Sequence, residues 1–351
     1  MVKNQANRLV DIARLSGVSI GTVDRVIHNR GRVSVEARKK VEQVIEDLEY
    51  KPNILARTLR LRTTLKSSIL VPDHADDEYW KIAINGINSE IGKWSHYGVR
   101  IQIITYNPYS QDSFRRSIDS LNNDPYDGVV LAPVFYDLTK SLLSSLRDRG
   151  VPYVLFDSNI PELAPLSFVG QDLYASGRIA GDLLFKSTGH QGNTAVIHMM
   201  EDPDGAPHLR EKERGFAAYL AESGEEAVYY PLTTGQSESL TRLTEVLSDP
   251  ALSRVYVTNS RGTTDAAKVL QHLGRTDVVL VGYDLLGDNV RLLRSGHITY
   301  LINQNPGRMA RTALANLFTH LVLGQEVAST ELFPLDIITR ENADSYLRFQ
   351  P

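Results

Sequence analysis

The chain has 351 residues, 42% hydrophobic, with a formal net charge of −4, a length that suits a small head plus a large body of one or two lobes. It holds no cysteine, which excludes disulfides and thiolate metal sites. Neither the amino-terminal MVKNQANRLVDIAR nor any later segment has the apolar core of a signal peptide or the ~20-residue run of a bilayer span, so the expected location is the cytoplasm, away from membranes. Charge is unevenly spread. Residues 1–62 carry 13 Lys/Arg against 7 Asp/Glu, leaving −10 for the remainder. A basic end on an acidic body fits a part that meets phosphates, and a solvated basic helix explains the charge alone equally well.

In chain order, residues 9–15 read as a first helix with Leu9, Ile12, Ala13 and Leu15 on its apolar face. Gly17 gives the freedom a tight Ser16-Gly17-Val18 corner needs, and Val18 plugs the space between helices. Ser19 suits the N-cap of a second helix reaching about residue 27, with Val23, Val26 and Ile27 inward. Ile20, Gly21, Asp24 and Arg25 are left on its outer face. A third helix over about 34–50 opens on Ser34, and Val35, Val41, Val44, Ile45 and Leu48 recur at helical spacing to close a three-helix core. Two short helices around such a corner form a helix-turn-helix, which presents one helix to a DNA major groove. Gly17-Val18-Ser19-Ile20-Gly21 also matches the G-x-S-x-G of serine hydrolases. That motif requires a buried strand before its serine, and here a helical pattern precedes it.

The run Asp11-Ile12-Ala13, Gly17-Val18-Ser19, Thr22-Val23, Arg25-Val26, Val33-Ser34, Arg38, Val41, Leu48, Tyr50, Pro52-Asn53 and Ala56 resembles the lactose-repressor (LacI/GalR) family of bacterial regulators. The resemblance implies that the second helix reads DNA through Ser19, Ile20, Gly21, Thr22 and Arg25. Ile20, Gly21 and Arg25 stand where the family reads base edges, and Thr22 where it holds phosphate. Arg25 can pair bidentately with guanine, a contact worth about 1–3 kcal/mol of discrimination. The chain departs from the family at Asp24, usually serine, whose carboxylate has to pair with Arg25 or Arg30, face a cytosine amino group, or stay solvated. Gly21 offers no side chain for readout.

Pro52 can start a helix because its missing N–H is not needed in the first turn. Leu55 and Leu59 then share one face, among Arg57, Arg60 and Arg62. A helix this short is marginal alone in water. The resemblance implies a hinge helix that orders on DNA beside its twin, with Asn53 and Ala56 lining the minor groove and Leu59 wedged between base pairs; a plain linker is the alternative.

From Lys66 the pattern becomes α/β. Strands are expected at 67–72, 100–106, 127–133, 152–157, 193–199, 255–259 and 278–284, with YLIN before Gln304, and amphipathic helices at about 171–187, 208–222 and 306–323. Such alternation predicts parallel sheets covered by helices. No P-loop and no G-x-G-x-x-G follows a strand, so no nucleotide cofactor is expected, and neither a metal cluster nor a nucleophile–base set appears. Polar residues recur at the strands' carboxyl ends, where ligands bind in open α/β sheets: Asp73, Asp157, Asn259, Asp284 and Gln304. With Tyr79, Trp80, Phe135 and Tyr136 nearby, they suit a neutral polyhydroxylated ligand. Polar strand caps are also common without any ligand.

The body is similar to the family's, and so to periplasmic sugar-binding proteins with two lobes and a cleft. The resemblance implies cleft contacts from Asp77, Tyr79, Trp80, Asp157, Arg210 (or Lys212, the register being open), Asn259, Asp284 and Gln304. Ala132 and Ser158 depart from the ribose-binding pattern and leave the sugar open. The expected division is a head at 1–51, a hinge at 52–65 and a body at 66–351. Within the body a near lobe takes 66–165 and 297–331, and a far lobe takes 166–296 and 332–351. The expected protein is a repressor of palindromic double-stranded DNA, released by a carbohydrate. A homodimer is expected, since no apolar heptads for a tetramerising tail precede Pro351. The alternative within the family is a purine or sugar phosphate acting as corepressor. An exported transport protein or an enzyme fits less well.

Overall fold

The structure is a computed structural model that describes residues 9–27, 31, 33–48, 65–75, 77–122, 125–188, 192–199, 206–232 and 236–348. The chain divides into a head drawn from Met1–Thr63 and a body that begins at Thr64.

The head holds helices α1 (Leu9–Ser16), α2 (Ile20–Ile27) and α3 (Val35–Asp47). Gly17 turns the corner with φ +68°, and the Val18 amide donates to the Ala13 carbonyl at 3.1 Å. Ile12, Ala13, Val23, Val26 and Val41 form the buried core, and Leu9, Val18, Ile27, Val44, Ile45 and Leu48 pack against it. Two expected core residues lie outside it. Leu15 is 55% exposed and Val35 84% exposed. At 100° per residue Leu15 falls about 110° from the stripe centred on Leu9, Ile12, Ala13 and Ser16, so Ser16 takes the inward place. Val35 lies six residues before Val41, about 120° off its face. Ser34 caps α3, accepting from the Ala37 amide at 3.2 Å.

The body is built on two six-stranded sheets. In chain order its elements are β1 (Leu65–Pro72), α4 (Glu78–Ser95), β2 (Val99–Tyr106), α5 (Gln111–Asn122), β3 (Gly128–Leu131), α6 (Tyr136–Asp148), β4 (Tyr153–Phe156) and β5 (Ser167–Gly170). They continue with α7 (Leu173–Thr188), β6 (Asn193–Met199), α8 (Pro207–Ser223), β7 (Val228–Leu232), α9 (Gln236–Leu247), β8 (Leu252–Val257), α10 (Ser260–His272) and β9 (Val279–Tyr283). The last elements are α11 (Gly287–Arg294), β10 (Tyr300–Asn303), α12 (Pro306–Phe318), β11 (Thr330–Leu332), β12 (Asp336–Ile338) and α13 (Ala343–Leu347). The first sheet runs β11-β5-β4-β3-β1-β2 and the second β12-β10-β9-β8-β6-β7. Among the described residues every strand pairing is parallel except that of β10 with β12. The central strands are continuous apolar runs buried on both faces, as parallel sheets covered by helices require.

Sheet membership corrects the expected lobe boundaries. β5 pairs with β4, so the chain leaves the first lobe after Gly170 rather than at 165. β10 pairs with β9, so it returns after Asn303 rather than at 296. β5 (SFVG) is too short and too rich in small residues to stand out, and β7 is an edge strand with Val228 and Tyr229 exposed and Pro231 within it. Neither was expected.

Candidate functional site

In the head, the outer face of α2 is as the periodicity demands: Ile20 is 45% exposed, Gly21, Asp24 and Arg25 are exposed, and Thr22 is half-buried. Ser19 orders the start of the helix, since its hydroxyl accepts from the Thr22 amide at 3.2 Å and lies 3.0 Å from the Thr22 hydroxyl. The other expected DNA contacts, Asn53, Ala56 and Leu59, lie outside the described residues with the rest of the hinge.

In the body, a cavity opens at the carboxyl ends of the strands and is walled by both lobes. Asp77, Tyr79, Trp80, Asp157, Asn259 and Gln304 all line it, so the structure brings together six of the eight expected cleft residues.

On the first-lobe wall Asp77 caps α4, its carboxylate accepting from the Tyr79 amide at 2.9 Å. Tyr79 donates its hydroxyl to Asp157, whose other oxygen accepts from the Ser158 hydroxyl at 3.2 Å. Burial, and then Asp157, push the Tyr79 hydroxyl well above its ordinary pKa, so it stays a donor. Trp80 meets Tyr79 edge to face at 5.0 Å, and Phe156 at 6.3 Å behind it. This presents a flat apolar ring beside a carboxylate, the pairing that a sugar's C–H face and hydroxyls fit. Phe135 and Tyr136 lie away from the cavity: Phe135 packs on Tyr106 and Phe114, and Tyr136 donates to Glu162. Asp73 accepts from the amides of His74 and Ala75 and does not reach the cavity.

On the second-lobe wall the basic residue is Lys212. Arg210 lies in an outer groove with Pro207, Glu211, Glu213, Arg214, Ala217 and Tyr229. The cause is helical phase: on α8, His208 and Lys212 are four apart and face the cleft, and Arg210 stands 200° round. The phase is set by close approach of two helices. A Cβ built at Gly177 of α7 would fall 1.9 Å from the Lys212 carbonyl oxygen, and one at Gly215 of α8 the same distance from that of Tyr174. Lys212 is 2% exposed; its ammonium donates to the Thr258 carbonyl at 2.9 Å and sits 3.7 Å from the Tyr283 ring centroid. Asp284 is the second departure, since it stands behind the wall. Its carboxylate accepts from the Gln304 amide at 2.7 Å, the Gln304 side chain at 2.9 Å and the Ser260 hydroxyl. Burial raises its pKa, against these hydrogen bonds and the charge of Lys212. Asn259 lines the cavity while capping α10, accepting from the Gly262 amide at 2.8 Å and donating to the Met199 carbonyl at 2.7 Å. Tyr109, His208, Ser260 and Arg261 also line the cleft and were not foreseen. Ser260 and Arg261 directly follow Asn259, and that adjacency was the available signal.

The lobes also touch. Both carboxylate oxygens of Glu78, on α4, accept from the Gly287 amide that opens α11, at 3.0 Å. At the crossings, the buried Gln171 side chain donates to the carbonyls of Asn303 at 3.0 Å and Pro334 at 2.7 Å, tying all three connecting segments together.

Residues 8–53 match the bacterial regulatory proteins of the lacI family, and residues 68–326 match a periplasmic binding protein domain. The ribose operon repressor of Halalkalibacterium halodurans is 24% identical over 279 residues, covering 78% of this chain and 79% of its own. The HTH-type transcriptional regulator CelR of Thermobifida fusca is 29% identical over 291 residues, covering 81% and 84%. A crystal structure assigned to a LacI transcriptional regulator from Bacteroides fragilis superposes with a TM-score of 0.74 at 28% identity, covering 81% of this chain and all of that one.

Proposed function

Because this chain belongs to the lacI family of bacterial regulatory proteins, with a periplasmic-binding-protein body, we propose that it is a sugar-responsive repressor acting as a pair of chains on a palindromic operator. The family is one of DNA-binding transcription regulators and not of enzymes. Among the described residues no helix is long and apolar enough to cross a membrane. A cytoplasmic site of action accords with a protein that works on DNA.

One observation carries the reading. A head whose α2 turns Ile20, Gly21 and Arg25 outward is joined to a body whose cleft is walled by both lobes, so the second module can govern the first. In the head, Arg25 reads a guanine, Ile20 contacts base edges, and Ser19 and Thr22 hold backbone phosphate beside Gly21. Asn53, Ala56 and Leu59 form the hinge that pairs with its twin in the minor groove. In the body, the carboxylate of Asp157 and the amide of Gln304 take ligand hydroxyls, and Trp80 takes an apolar ring face. Asp77 and Asn259 hold the amino ends of α4 and α10 against the ligand, and Asp284 fixes Gln304. The ribose operon repressor among the relatives accords with a sugar. The ligand closes the cleft, the first lobes of the pair shift, and the hinge helices no longer meet. Only a difference in ligand affinity between the two states can drive such a change.

Arg25→Ala tests the head. Fluorescence anisotropy on a palindromic site selected from random duplexes should show operator affinity falling by about 1–3 kcal/mol, with non-specific binding nearly retained. An equal loss on both duplexes contradicts base reading by Arg25.

A further inference from the structure

Among the described residues the cleft holds one guanidinium whose donors are unspent. Arg261, the second residue of α10, lines the cavity and makes no hydrogen bond and no ion pair among the described residues. The other charged groups there are held by their surroundings. Asp77 is engaged by backbone amides, Asp157 by Tyr79 and Ser158, and Lys212 by the Thr258 carbonyl and the Tyr283 ring. Asp265, one turn along the same helix, acts on Arg261 through its charge, yet its buried Oδ2 accepts no hydrogen bond. A guanidinium carries five donors in a planar fork that matches a carboxylate or phosphate. Among the described residues the fixed charges also sort by lobe, with Asp77 and Asp157 on the first wall and Lys212 and Arg261 on the second. The amino end of α10 adds its partial positive charge on that second side.

We infer that the effector is an acid: a polyhydroxylated molecule whose carboxylate or phosphate seats against Arg261 while its hydroxyls face Asp157 and Gln304. This rests on the sugar reading above and narrows it. A neutral sugar would use the first wall and leave Arg261 in solvent.

The test uses the full-length protein, with thermal shift and calorimetric titration against pentoses and hexoses, their uronic and aldonic acids, and their phosphates. The variants are Arg261→Ala and Arg261→Lys. The expected result is that an acid raises the Tm where its neutral parent does not. Arg261→Ala then weakens that acid by about tenfold or more, and Arg261→Lys restores part of the loss. Which acids bind separates a carboxylate from a phosphate. A neutral sugar that binds both wild type and Arg261→Ala alike overturns the acid and leaves the sugar reading standing. Silence from every compound overturns both.

Discussion

Two aspartates occupy matching places in the two lobes. Asp157 follows β4 with φ +71°, and Asp284 follows β9 with φ +62°. Aspartate tolerates this left-handed backbone better than most residues, and at the end of a parallel strand the turn points its carboxylate across the sheet's edge. The same placement has different outcomes: Asp157 lines the cleft, while Asp284 is covered by Ser260 and Gln304. Asp265 is a carboxylate of another kind. Burial raises its pKa from 3.8, outweighing Arg261 and Lys268, so folding disfavours its charged form relative to the unfolded chain. The resulting penalty is absent below the unfolded pKa and grows as pH rises through the folded one. Asp265→Asn should therefore raise the urea midpoint at pH 7.5, with the gain shrinking as the pH is lowered to 4.5. An equal gain at both pH values contradicts the burial of a charge.

At the scale of elements, the seam between α7 and α8 places the second-lobe cation. Gly177 and Gly215 let the two backbones touch, and that contact turns Lys212 to the cleft and Arg210 away from it. Gly177→Ala should cost roughly 1–3 kcal/mol in denaturant unfolding, because a methyl group must push against a carbonyl rather than a flexible side chain. An unchanged midpoint means that α7 and α8 can part freely. This seam also explains why Lys212 could not be separated from Arg210 by reading residues. Both are basic and two apart on one helix, and only packing sets the phase. The strands were readable where apolar runs are buried on both faces, as in β3, β4 and β9, and unreadable in β5 and β7, and the missed β5 moved the first crossing point to after Gly170. In the head, Ile12, Val23 and Val41 declare the core by spacing alone. Leu15 and Val35 mislead because apolar character is not the same as phase.

At the scale of the molecule, the two lobes are joined by three segments that Gln171 stitches together, and Glu78 reaches from α4 to the first amide of α11. Opening the cleft must break the Glu78 contact and bend the crossings, so under the proposed function ligand occupancy and lobe separation form a single equilibrium. The basic end at 1–62 and the acidic remainder accord with the proposed division, in which one part meets DNA phosphates and the other avoids them. The most direct measurement titrates the full-length protein onto its selected palindromic duplex at fixed salt, with and without the ligand that most raises its Tm. The account predicts that a saturating ligand weakens operator binding by about 5–150-fold and leaves binding to random duplex unchanged. Operator affinity that is the same in both titrations would contradict it.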